Sequence, residues 1–218
     1  MNVETFAVGI MPTNCYVLTD DSGLGLIVDP AAPSQKLSER IDDFAEGQIK
    51  YILLTHGHFD HIGYADELRK KTGAKIVIYK GEEKFLHNSG LNLSSFMGGL
   101  KIEPFNADII VSDGEEIPFG ENKIKVLYTP GHTSGSCCYM IDDILFTGDT
   151  LMTGSMGRTD FPTGNYNDIL QSLKRLKNLD GDYSYGYNNH QYPLYGLRYP
   201  MYGPATMLEH GRKTNPFM

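Results

Sequence analysis

A single α/β domain is the fold class that these 218 residues predict, and three observations carry it. The length is enough to bury one substantial core, yet it lies in the range of one domain rather than two. Short apolar runs alternate with stretches whose apolar residues recur at helical spacing. Three of the apolar runs end directly in metal-ligating side chains, as expected where strands deliver functional groups to one edge of a sheet.

Taken in order, Asn14 to Thr19 and Leu24 to Asp29 read as paired strands around the turn Asp20 to Gly23. Ser34 is a good N-cap for a helix that places Leu37, Ile41, Phe44 and Ala45 on one face and ends at Gly47; that stripe is core. Tyr51 to Leu54 is a short buried strand, and Ile62 to Lys71 the helix that follows it, stopped at Gly73. Lys75 to Tyr79 is the next strand and Glu82 to Leu86 a short helix. The small residues of Leu91 to Gly99 favour an ordinary solvated loop over a border of an active-site mouth. Between Ile109 and Thr147 short apolar runs alternate with turn signals, which predicts a meander of antiparallel strands. Asn167 to Lys177 sets Ile169, Leu170, Leu173 and Leu176 against Lys174, Arg175 and Lys177, an outer amphipathic helix with its bases in water.

The chemistry is concentrated in Thr55 to Gly63 (THGHFDHIG), where His56, His58, Asp60 and His61 follow the strand Tyr51 to Leu54. In a curling loop the His-x-His pair converges on one cation while Asp60 and His61 turn toward a second. Isolated histidines are usually surface residues, and a cluster can bind stray metal. Two further strand ends weigh against that: His132 in TPGHTSGS after Ile124 to Tyr128, and Asp149 in FTGDTL after Ile144 to Phe146.

Through THGHFDHIG, TPGHTSGS and FTGDTL, in this order, the chain resembles the metallo-β-lactamase-fold hydrolases, and most closely their small glyoxalase II-like members, over about residues 5 to 180. The resemblance implies a four-layer αβ/βα sandwich. It also implies that His56, His58 and His132 hold one metal, that Asp60 and His61 hold a second, and that Asp149 bridges them. Zinc is the metal expected at both positions, with iron as the alternative. Gly154 to Thr163 also resembles the family, and a salt bridge from Arg158 or Asp160 is expected to hold the loop under Asp149.

Composition narrows the partners. A net charge of −8 argues against an electrostatic grip on nucleic-acid phosphates. Met1 to Thr5 lacks the basic stretch and apolar core of a secretion signal, and no run of eighteen apolar residues occurs, so a soluble cytoplasmic protein with a small-molecule substrate is expected. Three cysteines cannot all pair with one another, and adjacent Cys137 and Cys138 read as small core hydrophobes without a redox role. His87 and His210 have no motif around them and read as surface residues.

The family pattern breaks after Asp182. The resemblance calls for a short strand ending in Pro-Gly-His-Gly, whose histidine completes the second metal position. Residues 183–204 form instead an atypical insert holding seven of the fourteen tyrosines, and aligning Pro200 to Gly203 on that motif puts Tyr202 at the ligand position. Tyrosine, serine, glycine and asparagine with little charge is the make-up of recognition loops. A loop selected or engineered for a substrate and a lineage-specific insertion both fit, and the choice between a lid and a self-packed flap favours the lid. His190, folding back, and Tyr202, as ligand or oxyanion donor, are the candidate replacements, with His190 slightly preferred.

The resulting expectation is a dizinc hydrolase that attacks a thioester, ester or lactam carbonyl with a metal-held water, with Asp60 orienting that nucleophile. Relatives that act on glutathione thioesters carry a C-terminal helical region that has no counterpart in these residues, which argues against that substrate. Two other readings compete. In persulfide dioxygenases of this superfamily one iron is held by residues matching His56, His132 and Asp149, a set that does not need the missing histidine. A metallo-scaffold displaying the tyrosine-rich loop to a protein is the third.

Overall fold

The computed structural model of the chain describes residues 1–96, 101–180, 184–187 and 206–218. Two six-stranded sheets stack face to face. The first begins with antiparallel β1 (Asn2–Val8), β2 (Thr13–Thr19) and β3 (Gly25–Val28), then runs parallel through β4 (Ile49–Leu54), β5 (Lys75–Tyr79) and β6 (Ile109–Val111). The second is an antiparallel meander of β7 (Glu116–Phe119), β8 (Asn122–Tyr128), β9 (Cys137–Ile141) and β10 (Ile144–Phe146). A small ribbon of β11 (Leu151–Met152) and β12 (Ser155–Met156) stands apart, while β13 (Ser184–Tyr187) lies parallel to β10 and carries β14 (Thr206–Met207) on its far side.

The alternation of side chains along the strands creates the layers. In the first sheet Val17, Ile27, Ile52 and Ile76 pack against α1 (Gln35–Asp42) and α3 (Ala65–Thr72), which follows the single turn α2 (Phe59–Ile62). Their strand neighbours Leu18, Leu26, Leu53 and Val77 face the other way and meet Ile124, Val126, Tyr139 and Phe146 of the second sheet. Behind that sheet Leu127, Cys138 and Leu145 pack on Leu173 and Leu176 of α4 (Tyr166–Lys177), and α5 (Leu208–Thr214) follows β14. Helix, sheet, sheet and helix make the expected four-layer sandwich. Cys137 faces the inter-sheet core and Cys138 the helix side, both fully inside, as their reading as core residues requires. Among the described residues no helix is long and apolar enough to cross a membrane.

Three local expectations need correction, and one strand was not foreseen. The first helix stops at Asp42 rather than at Gly47, because Asp42 and Asp43 put two carboxylates at its negative end; its start is as expected, with the Ser34 hydroxyl accepting from Leu37 N at 3.2 Å. The helix behind the ligand loop is broken in two. A Cβ on Gly63 would lie 2.3 Å from the Ala31 carbonyl oxygen, and Tyr64 N donates to Pro30 O at 2.9 Å, so the loop after β3 occupies the space a continuous helix needs. The run from Ile109 does not all belong to one meander, since β6 pairs with β5 in the other sheet. Asn2 to Val8, whose polar residues hide its period, is an edge strand paired with β2 over seven residues.

Candidate metal centre

The ligand loop starts where β4 ends, held there by an aspartate at the end of β3. Asp29 is wholly buried with φ of 48°, a left-handed backbone that turns its carboxylate inward. Its Oδ1 accepts from Thr55 N at 2.8 Å and its Oδ2 from the Thr55 hydroxyl at 2.6 Å. The hydroxyl proton is thereby committed to Asp29, so Thr55 Oγ1, 3.1 Å from His56 Nδ1, accepts from that ring. His56 is therefore the Nδ1–H tautomer and turns the Nε2 lone pair into the site. The same logic fixes His132, whose Nδ1 donates to the Arg158 carbonyl at 2.7 Å.

The lone-pair nitrogens meet at one point. His58 Nδ1 lies 3.1 Å from His56 Nε2 and 3.0 Å from His132 Nε2. Beside them, His61 Nε2 is 3.5 Å from Asp149 Oδ1 and His132 Nε2 is 3.5 Å from Asp149 Oδ2. Two groups of donors result, His56 with His58 and His132, and His56 with His61 and Asp149; within each, the ligand atoms lie within 4.8 Å of one another. All five residues are at most 7% exposed. Four imidazoles and a carboxylate, with their ligand atoms turned toward one another, fit a divalent cation better than they fit one another. Gly148 lets Asp149 come this close: its φ is 49°, and a Cβ there would stand 2.4 Å from Thr55 Oγ1.

Electrostatics divides the histidines. Burial lowers His56 well below its ordinary value, and the neighbouring His61, His58 and His132 push it further down. Burial also lowers His132. Burial acts in the same direction on His61, but Asp149, then Asp29, which faces His61 Nδ1 across 3.1 Å, outweigh it and raise the imidazole to about 9.

Of the expected ligands, His56, His58, His61, His132 and Asp149 come together, while Asp60, half-buried, stands outside both groups and lines the cavity above them. His56 belongs to both groups, which the spacing did not indicate. His190 and Tyr202 lie outside the described residues, as does most of the insert 183–204; only the backbone of β13 represents it. Arg158 and Asp160 do not brace Asp149 by a salt bridge. They pair with each other, Nε to Oδ1 at 2.6 Å, and the loop is tied down by the Arg158 carbonyl on His132. Leu93 and Phe96 line the cavity, so the loop read as merely solvated borders the site. His87 is on the surface, 3.0 Å from Asn106 Oδ1.

Two acids escaped the sequence reading. Asp29 stands at a strand end, the signal used for the other ligands. Glu82 has no such signal: fully buried, it accepts from Gly57 N through Oε2 and from Gly135 N through Oε1, both at 2.8 Å. It thus ties the loop of His56 and His58 to the loop of His132. Above the cluster opens a cavity of about 700 Å³, walled largely by apolar side chains.

Comparison with known proteins gives the same picture. The sequence pattern of the metallo-beta-lactamase superfamily matches residues 8–186. The hydroxyacylglutathione hydrolase GloC of Haemophilus influenzae is 33% identical over 186 residues, 84% of this chain and 87% of GloC. The solved structure of the BLEG-1 B3 metallo-beta-lactamase superposes with a TM-score of 0.82 at 28% identity, covering 99% of both chains. That of TTHA1623 in a di-iron-bound form gives 0.78 at 25% identity, covering 99% of this chain and all of the other.

Proposed function

Because the chain belongs to the metallo-beta-lactamase superfamily, we propose that it is a metal-dependent hydrolase of an ester, thioester or lactam carbonyl, working with two divalent cations, zinc by preference. The observation that supports this most is the pair of buried donor groups sharing His56 at the floor of an open cavity. When bound, divalent metals supply Lewis acidity and a water acidified to near neutrality.

The chain's own residues do the rest. Thr55 and the Arg158 carbonyl hold the Nε2 lone pairs of His56 and His132 inward. Asp29 orients His61. Asp60 sits at the cavity wall beside the floor, where its carboxylate can accept a proton from a water attacking a substrate carbonyl, or pass one to a leaving group. No serine or cysteine nucleophile is required, and the cysteines are buried in the core.

The test is metal removal and return. Chelation abolishes hydrolysis of activated esters and thioesters, and titration with zinc restores it with a break near two equivalents. Hydrolysis that survives full chelation refutes the proposal. The iron in the TTHA1623 structure supports iron as the alternative metal, and with it a second reading, an oxidoreductase of the persulfide dioxygenase kind that would hold one iron at His56, His132 and Asp149. Iron in the purified protein together with oxygen consumption selects it; zinc without oxygen consumption rejects it.

A further inference from the structure

We infer that the substrate is a neutral ester or thioester with an extended apolar acyl group, and that the site disfavours acyl groups carrying a carboxylate at their far end. This rests on the hydrolase reading and concerns what the cavity above the donor groups selects.

The walls are apolar and the floor is not. Met11, Leu93, Phe96, Met152, Met156 and Phe217 surround the opening over His58, His132 and Asp149. Methionines on unbranched stems adapt to extended chains better than branched side chains do. The rim exposes what soluble proteins usually hide, with Phe96 73% and Phe217 38% open to solvent. An apolar acyl chain lying across them removes that surface from water. A cavity of about 700 Å³ holds a chain of medium length together with a leaving group.

This wall is built rather than incidental. Asn215, 4% exposed, donates through Nδ2 to Met152 O and Ser155 O, each at 3.0 Å, and its Oδ1 accepts from Phe217 N at 3.0 Å. One buried amide therefore fixes Phe217 against the ribbon that carries Met152 and Met156.

Charge points the same way. Apart from the donor cluster with Asp60, the charged side chains lining the cavity among the described residues are Arg158 and Asp160. They neutralise one another in a two-pronged pair, Nε to Oδ1 at 2.6 Å and Nη2 to Oδ2 at 2.5 Å, and the guanidinium carbon lies 4.0 Å from the centre of the Phe161 ring. A carboxylate at the end of an acyl chain must break that fork to pair with the Arg158 guanidinium. It must also approach a protein of net charge −8.

The experiment uses the zinc-loaded full chain and a series of p-nitrophenyl and thiol esters from acetyl to octanoyl. Specificity, kcat/KM, is expected to rise about threefold to fourfold per added methylene. An ω-carboxylate analogue of equal length is expected to react at least about tenfold more slowly. In Phe96→Ser and Met156→Ser the octanoyl-to-acetyl ratio falls about tenfold. A flat series, an unchanged ratio in both variants, or an ω-carboxylate ester as good as the neutral one overturns the inference. Displacement of the neutral dye N-phenyl-1-naphthylamine by octanamide supplies a readout without turnover. Octanamide is expected to compete at least about tenfold better than acetamide or its own ω-carboxylate analogue, and equal competition overturns the inference as well. Preferential displacement without hydrolysis of any ester sinks the hydrolase reading and leaves the apolar site standing.

Discussion

Replacing Glu82 by glutamine isolates one buried acid in the scaffold of the site. Burial raises the Glu82 carboxyl from 4.5 to about 7, against the hydrogen bonds from Gly57, Thr133 and Gly135 that favour the carboxylate. An acid whose folded pKa lies above its unfolded value is bound more tightly by protons in the folded chain. The wild type therefore loses stability as pH climbs from about 4.5 through about 7, and nothing more from this group above that range. The difference is roughly 2.5 pH units, worth ~3 kcal/mol at about 1.36 kcal/mol per unit. Glutamine cannot titrate. Its oxygen still accepts one backbone N–H, while its NH₂ faces the other donor, a loss of about 1–3 kcal/mol that is the same at every pH. Urea unfolding of chelator-treated wild type and Glu82→Gln, at steps between pH 4.5 and 8.5, should show the variant gaining ~3 kcal/mol on the wild type across the range. Every other titrating group is common to both proteins and cancels. A difference that stays level within about 1 kcal/mol would falsify the assignment of Glu82 as a carboxylate charged against its surroundings. The same variant should hold zinc about tenfold more weakly in chelator competition, because the loops of His56 and His132 lose the acid that ties them.

His56→Ala removes the donor common to both groups, so metal analysis should show both ions weakened, where His58→Ala spares the second; hydrolysis should fall by more than the roughly 100-fold that an outer-shell change costs. Asp29→Asn frees His61 Nδ1 and Thr55 together, and zinc affinity is expected to drop about 10–100-fold; unaltered affinity would show that His61 needs no orienting partner. Gly148→Ala forces a Cβ to 2.4 Å from Thr55 Oγ1 at a φ of 49°, which should cost about 1–3 kcal/mol in urea unfolding, with a larger proportional loss in metal binding because Asp149 follows directly.

What the sequence discloses about this site follows the range of the interactions involved. The three ligand segments are local patterns, each a strand running into histidine or aspartate, and the strand ends meet because Cys137 N donates to Thr55 O at 2.9 Å, joining the start of β9 to the end of β4. That meeting makes a short motif sufficient to place five ligands. The division into groups is different, because it depends on which way one turn of helix faces. Asp60 and His61 are consecutive in α2, about 100° apart around its axis, and only the packing of Phe59 and Ile62 settles that His61 turns inward and Asp60 toward the cavity. Glu82 lies 25 residues from one of its partners and 53 from the other, so no window of sequence contains the interaction. The strand Ile109–Val111 is equally silent: three apolar residues fit either sheet, and the choice is made by the parallel register of Val77 on Ile109. Glu82 and the place of β6 went undetected because each is set by a contact between elements that local pattern does not join; Asp29 stood at a strand end and carried the local signal, but its partners Thr55 and His61 lie 26 and 32 residues on. Changes at Asp29 and Glu82, rather than at the visible ligands, therefore test whether the scaffold itself has been understood.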